Sequence, residues 1–452
     1  MSKIRRISEL GEDANRTLGI YTYQQYWESF LCSELGQIYQ AIPWSALLEA
    51  WGLSEKSLGR KSYFSPSGKL ALLFLKHYSG CSDHRLIKQL NGNLHYQFFC
   101  GIMIDPSSPL EHRQLVSHIR GELSALLPIE DVQKVLADCW KPYLSESENM
   151  LVDATCYESD VRYPTDPKLL WESVSWLYVK LKWIYKSLGL RMPRSKYNKW
   201  ADLYQSYRRK RKPRVKHRHR IKGGLLRLLA KLLGILQELD PKDLWMLNPR
   251  ELDRLKTIQR VFEQQSGLFY HGIKPKGRIV SLAKPYLRPI VRGKESKSVE
   301  FGAKLNKIQI DGINFIEYIS FDPFHEGNRL ESSIFTARKL LGKISRLGAD
   351  AIYATNRNRS YCTAQNIFHD FRPKGRKAKW EGHNKILRKA ITKERVSRLE
   401  GSFGNEKNAW YLRKIKARTK ANETLWIFMG IHIANAQEIG KRIARAKMEK
   451  AA

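Results

Sequence analysis

Apolar positions fall into different rhythms along the chain. Between residues 20 and 145 they recur at helical spacing. Tyr26-Trp27, Phe30-Leu31, Ile38 and Ile42 lead to Leu47, Leu48 and Trp51, which follow Pro43. Ser65-Pro66-Ser67-Gly68 opens a helix through Leu70-Ala71-Leu72-Leu73-Phe74-Leu75 that is apolar on most sides and therefore predicted to be buried. Asp83 to Phe99 reads as an amphipathic helix broken at Asn91-Gly92-Asn93, and Pro109 and Pro128 punctuate two more. This part reads as an all-helical domain. Met150-Leu151-Val152 then runs straight into Asp153, with Ala154 and Thr155 behind it, as a buried strand with a carboxylate at its tip. An exposed polar turn carrying Asp160 and Asp166 follows. Residues 167–275 return to helical spacing and include the apolar helix Gly224 to Leu236.

From Gly277 the period becomes two, which predicts strands at 278–283, 298–310 and 314–321. Asp311-Gly312 is a hairpin signal between the last two. A helix is expected at 328–343, a short strand through Leu347-Gly348-Ala349-Asp350-Ala351-Ile352-Tyr353, and helices from 381 onward.

Charge changes the picture more than composition does. The 452 residues carry 80 Lys and Arg against 44 Asp and Glu, a formal net charge of +36. Such an excess points to a polyanionic partner, with nucleic acid the default. No long uncharged apolar run and no signal peptide is present, so a membrane role is disfavoured. The six cysteines are scattered without a CxxC pair, which argues against a zinc finger or disulfide framework and for a reducing, cytoplasmic setting. The densest charge run is Arg208-Arg209-Lys210-Arg211-Lys212-Pro213-Arg214, continuing to Arg220 without an acid. It reads as a phosphate-contacting segment, the plain alternative being a solvated loop.

A carboxylate at the tip of a buried strand is costly unless something pairs with it. It could simply cap a turn. The order of elements argues for more. A strand with Asp153, a hairpin, a helix, a strand with Asp350 and a helix with Glu400 follow the ribonuclease-H-like plan, in which three acids converge. Three converging carboxylates need cations between them. Two Mg2+ ions about 3.5–4 Å apart meet that need and activate water or a 3′-hydroxyl against a phosphodiester.

Several stretches resemble the DDE transposases of bacterial insertion sequences. They are Leu151-Val152-Asp153-Ala154-Thr155, Arg162-Tyr163-Pro164-Thr165-Asp166, Ala349-Asp350-Ala351-Ile352-Tyr353 through Arg359, and Glu400-Gly401-Ser402-Phe403-Gly404-Asn405-Glu406-Lys407. Arg288 to Lys294, Val299 to Lys304 and Leu90 to Phe99 are similar to the same group. The resemblance implies a helical N-terminal domain over 1–145 that binds DNA ends or dimerises. A mixed α/β ribonuclease-H-like core over 146–440 follows, interrupted by a basic helical insertion at 158–275, with a basic tail over 441–452. It implies Asp153, Asp350 and Glu400 as catalytic metal ligands for two Mg2+, with Mn2+ as a substitute, and Lys407 as a DNA contact. Its partners would be double-stranded DNA (terminal inverted repeats and target), bound by a homodimer in a bacterial cytoplasm.

Two departures stand out. The family's Arg four residues before the Glu is Val396 here, so Arg395 or Arg398 must serve. The interval from Asp153 to Asp350, 350 − 153 = 197 residues, is long for the fold and calls for the insertion. Asp311 and Asp322 are rival second acids, Asp311 at a turn that favours Asp for its own reasons. Trp380, among basic residues, could stack on a base or anchor a loop. Two other readings stay open: a non-catalytic DNA-binding descendant of a transposase, and another ribonuclease-H-fold nuclease.

Overall fold

Thr22, Ser33, Ser65, Ser82 and Asn93 each turn a side-chain oxygen onto the backbone N–H three residues on, and each starts a helix there. These caps satisfy N–H groups that a first turn otherwise leaves unpaired. In the computed structural model, which describes residues 4–7, 22–55, 62–291, 299–374 and 381–451, the N-terminal helices are α1 (Tyr23–Cys32), α2 (Glu34–Gln40), α3 (Trp44–Trp51), α4 (Pro66–Ser79), α5 (Asp83–Gly92), α6 (Leu94–Phe99), α7 (Leu115–Ser124) and α8 (Ile129–Trp140). They are not alone. Strand β1 (Ile4–Arg6) pairs antiparallel with β2 (Ile102–Ile104), so the region is not all-helical as its periodicity predicts. Three-residue strands carry too little alternation to be read from sequence.

The chain as a whole is mixed α and β, and it divides into two compact units. The first comprises 1–159, 303–320 and 324–452, the second 160–302 and 321–323. In the first unit, β3 (Asn149–Glu158) lies at the centre of a mixed sheet.

The second unit is built from α9 (Asp166–Ser187), α10 (Tyr197–Arg209), α11 (Val215–Gln237) and α12 (Pro249–Tyr270). Leu170, Val174 and Leu177 pack with Leu225, Leu229 and Leu232 in its core. Asp166 is locked by Lys222 at 2.7 Å and Arg278 at 2.5 Å. The predicted strand at 278–283 does not form. Ile279 and Leu282 are buried in this helical core, and the Ile279 N–H is taken by the Gln264 side chain at 3.0 Å. The strand is instead β4 (Pro289–Val291), paired antiparallel with the beginning of β5 (Val299–Ile310).

Beyond Gly302, β5 belongs to the first unit, where it neighbours β3 and pairs antiparallel with β6 (Ile313–Ser320). The hairpin forms at Asp311-Gly312, both with positive φ (47° and 80°), the geometry that two-residue turns between antiparallel strands require. A bulge falls between Asn306 and Lys307. It switches the apolar face from Ala303 and Leu305 to Ile308 and Ile310.

After α13 (Leu330–Leu341), β7 (Arg346–Ala349) pairs parallel with β3. It ends before Asp350, which caps a short 3-10 turn over Ala351–Tyr353 instead of lying within a strand. Next come α14 (Asn356–Ala364) and β8 (Phe368–His369), parallel to β7. The chain then continues through α15 (Glu381–Glu394), a π-helical turn (Arg395–Leu399), α16 (Glu400–Asn408) and α17 (Lys420–Ala451). Residues 441–451 are thus the end of a helix. Residues 292–294 of the Arg288 stretch, and Trp380 with its basic neighbours, lie outside the described residues. Among those described, no helix is long and apolar enough to cross a membrane, and the cysteines form no disulfide.

Candidate active site

The parallel register fixes the first pair of acids. Met150 stands opposite Leu347, Leu151 opposite Gly348 and Val152 opposite Ala349. The next residue on each strand path is an aspartate, so Asp153 and Asp350 stand at the same level. Asp350 follows the end of β7, but Asp153 is not at a strand tip as predicted, because β3 continues to Glu158. Strands pair about 4.8 Å apart. The next strand repeats the motif: β8 ends at His369, and Asp370 follows. Its carboxylate accepts the Ala349 N–H at 3.1 Å. β7 and β8 therefore each deliver an aspartate just past their carboxyl ends, where open α/β sheets gather their sites, beside Asp153 midway along the longer β3. Asp370 was not singled out from sequence. Its signal, Ile367-Phe368-His369-Asp370, has the form of the Asp153 stretch but is too short to stand out.

Electrostatics show how crowded this edge is. Burial pushes the Asp153 carboxyl up to about 6, and the charges of Glu326 and Asp350 add to the rise; the Ala154 N–H and Arg395 oppose it. Glu326, from a 3-10 turn at Glu326–Arg329, is a second acid that sequence did not flag. Lys304 approaches it at 3.5 Å. Beneath the acids lies Tyr353, a buried aromatic whose hydroxyl donates to Asn306 at 2.5 Å. Burial and the surrounding carboxylates hold its phenol well above the ordinary range.

A stability prediction arises here. Because the folded state raises the Asp153 pKa from 3.8 to about 6, its stabilising share is full below 3.8 and is lost as pH rises through about 6. A shift of that size corresponds to about 3 kcal/mol, or about 2 kcal/mol once partial exposure is allowed for. In metal-free buffer at pH 8, Asp153→Asn should therefore be about 2 kcal/mol more stable than the native chain. That gap should close below pH 4. Urea unfolding across this range reads it directly, and equal stabilities at pH 8 would remove the strain.

Glu400 reaches the edge through an unusual turn. Its N–H bonds the Arg395 carbonyl, five residues back, in the π-helical segment. The wider turn brings Arg395, rather than Val396, one turn before Glu400. Arg395 Nη1 donates to Glu400 Oε1 at 3.4 Å, and Nε lies 4.0 Å from Asp370. Val396 is exposed. Of the two arginines expected to replace it, Arg398 points elsewhere, to Asp311 at 3.2 Å and Glu394 at 3.1 Å. Asp311 is further occupied by Arg442 at 2.8 Å and by the Ser145 N–H at 2.9 Å. It is thus a tied turn residue and not among the charges that act on Asp153. Asp322 lies in the second unit, 3.4 Å from Arg288. Lys407 donates to Thr155 at 3.0 Å, two residues beyond Asp153.

A buried polar network holds α16 in place. Lys307 of β5 and Glu406 of α16 are both fully buried and meet at 3.0 Å. Asn314 donates to Glu406 at 3.0 Å, the Tyr157 hydroxyl donates to it as well, and Lys307 also donates to Ser402 at 2.9 Å. The helix bearing Glu400 is thereby fixed to β3 and the β5–β6 hairpin.

Arg208 and Arg209 close α10, Lys210, Arg211 and Lys212 link it onward, and Arg214 precedes α11; all six are exposed in the second unit.

Do these residues fit a metal? Asp153 and Asp350 do, since they stand on adjacent strands and the Asp350 charge raises the proton affinity of Asp153, a repulsion that a divalent cation would relieve. Glu400 is engaged by Arg395, and among the described residues no group of three His, Cys, Asp or Glu is gathered closely enough to hold a metal ion. A third ligand requires Glu400 to turn from Arg395.

No curated protein and no solved structure is significantly similar to the chain. Residues 26–122, from within α1 into α7, match the family model described as a transposase domain (DUF772), which supports a transposase family while leaving every carboxylate of this site outside the matched segment.

Proposed function

We propose that the chain is a DDE transposase with a ribonuclease-H-like core, which cuts DNA at the ends of an insertion element and joins the 3′-hydroxyls to target DNA. The observation that carries this reading is the level placement of Asp153, midway along β3, and Asp350, just past the end of the parallel strand β7. The transposase-domain match and the net charge of +36 support it from outside the site. So does the order of parts: an Asp on a central strand, a second acid after a later parallel strand and a Glu on a following helix.

Asp153 and Asp350 would hold a divalent cation, Mg2+ or Mn2+, and Glu400 would complete the ligand set for a pair. Such ions supply activation of an attacking water or 3′-hydroxyl and stabilisation of the leaving oxygen. The chain's own residues do the rest. Arg395 holds Glu400 at the edge of the site, and Asp370 holds Arg395. Lys407, on the same helix as Glu400, offers a cation to a DNA phosphate. The exposed run from Arg208 to Arg214 adds sequence-independent phosphate contacts. An element has two ends, so a homodimer on DNA is part of the proposal.

The test uses linear DNA carrying the terminal repeats that flank the gene. With Mg2+ or Mn2+, the full chain should break strands at the repeat ends and leave 3′-hydroxyls; with chelator it should bind and not cut. Binding without cutting in either metal would favour a non-catalytic DNA-binding protein. Cutting that ignores the repeats would favour a nuclease of another kind.

A further inference from the structure

The first unit contains a cavity of about 630 Å3 that none of the carboxylates above lines. Lys76, Arg120, Lys407, Arg413, Lys414 and Lys416 line it, with Asp83 the one acid among the lining residues. Its floor is built. Lys76 and Arg120 are more than nine-tenths buried, and both reach Asp83, at 3.1 and 3.0 Å. Both also lie over the Trp426 ring, at 5.6 and 4.9 Å. Two buried cations thus share one carboxylate, and the floor keeps an excess positive charge.

The wall is built as well. After α16 the loop alternates: Leu412, Ile415 and Ala417 are buried, whereas Arg413, Lys414 and Lys416 are exposed. Its position is fixed at several points. The Ile415 N–H bonds the Glu158 carbonyl at 2.8 Å, and the Arg413 N–H bonds the Lys407 carbonyl at 3.2 Å. Tyr411 sits at φ 60°, a left-handed conformation that costs a non-glycine residue energy. Its carbonyl accepts from Trp426 Nε1 at 3.3 Å. Its ring occupies the space that a Cβ on Gly80 would fill. Lys414 is paired with Glu158 at 2.6 Å. No described acid lies within ion-pair distance of Arg413 or Lys416. The loop is therefore a fixed presentation of cations, with the Trp426 and Tyr411 rings beside them.

We propose that this cavity seats a backbone phosphate of DNA. It is formed jointly by the segment that matches a transposase domain and the loop behind the carboxylate helix. Lys407 is seven residues past Glu400 on the chain, about 10 Å along α16. At about 3.4 Å of rise per nucleotide, the seated phosphate lies about three nucleotides from the bond to be cut. The inference rests on the transposase reading, because it takes the ligand to be the strand being processed.

The experiment measures binding of the full chain to a fluorescent 30-base-pair duplex across a salt series, with chelator present so that nothing is cut. Each phosphate contact contributes about −0.9 to the slope of log K against log salt. Arg413→Ala/Lys416→Ala should flatten the slope by about 0.9, the share of the one seated phosphate, and weaken binding about tenfold near 100 mM salt. Both side chains are exposed, so circular dichroism and the melting temperature should stay unchanged. Lys242→Ala/Lys256→Ala removes the same charge from exposed positions outside the cavity and should move the slope less. Equal effects from the two pairs would overturn the proposal, since net charge alone would then explain them. A melting temperature raised by inorganic phosphate in the native chain but not in the cavity variant, with an unchanged DNA slope, would also overturn it and leave a free-phosphate site. If the native chain bound no duplex at all, the transposase reading itself would fall, and this seat with it.

Discussion

Asp153→Asn, Asp350→Asn and Glu400→Gln should each lower Mg2+-dependent strand cleavage by at least a thousandfold while leaving DNA affinity within a few-fold of native. Losing a ligand to a catalytic cation forfeits several kcal/mol of transition-state stabilisation, and each 1.36 kcal/mol is tenfold in rate. Affinity, by contrast, comes mainly from Lys and Arg on phosphates. Asp153→Asn also removes a carboxylate that is strained at neutral pH, so lost activity there cannot be laid to unfolding. Glu400→Gln is informative in another way. Arg395 would keep its contact with Asp370, so the π-helical turn should persist and the loss should trace to the missing charge. Asp311→Asn is the control. It disturbs the ties to Arg442 and Ser145 and should lower stability, yet the folded fraction should still cut. Full cleavage by Asp350→Asn together with inactive, folded Asp311→Asn would reassign the second acid.

How much of this arrangement could be read from the chain depends on how local its cause is. Leu151-Val152-Asp153 is legible as a buried strand that carries an acid, although not in its length, since the strand runs on to Glu158. The Asp311-Gly312 hairpin is legible because the turn type needs those residues. Asp350 and Glu400 are visible only through their order along the chain. The role of Arg395 is only half legible, because the sequence leaves Arg395 and Arg398 as equal candidates. A helix read at regular spacing puts Val396 one turn before Glu400, and only the π turn moves Arg395 there. The polar residues of β5 mislead in the opposite direction. Lys304, Asn306, Lys307 and Gln309 are polar positions of an alternating strand, where exposure is the ordinary expectation, and all are buried. Period two reports that a strand has two faces, but not that helices cover both. The consecutive Asn306-Lys307 pair was the one local trace of the bulge.

Those buried residues set the second large effect. Replacing Glu406 by Gln should leave the Lys307 charge buried without its counterion, and Lys307→Met should leave the carboxylate of Glu406 likewise. Breaking one half of a buried ion pair costs about 3–5 kcal/mol. Burial already lowers the Lys307 pKa, with Glu406 the chief force holding it up. Each single variant should therefore lose several kcal/mol in urea unfolding. Lys307→Met/Glu406→Gln should recover much of that, because two neutral groups need no pairing, and Tyr157 and Asn314 can still bond the amide. Recovery of stability need not restore catalysis. Glu406 is six residues beyond Glu400 on α16, and its bonds to Lys307, Tyr157 and Asn314 set how that helix lies on β3 and β5. The double variant should consequently fold well and cut slowly, since a displacement of about 1 Å at a reacting group can cost a hundredfold. Strictly additive losses in the double variant would mean that Lys307 and Glu406 are not coupled, and α16 would then owe its position to apolar packing alone.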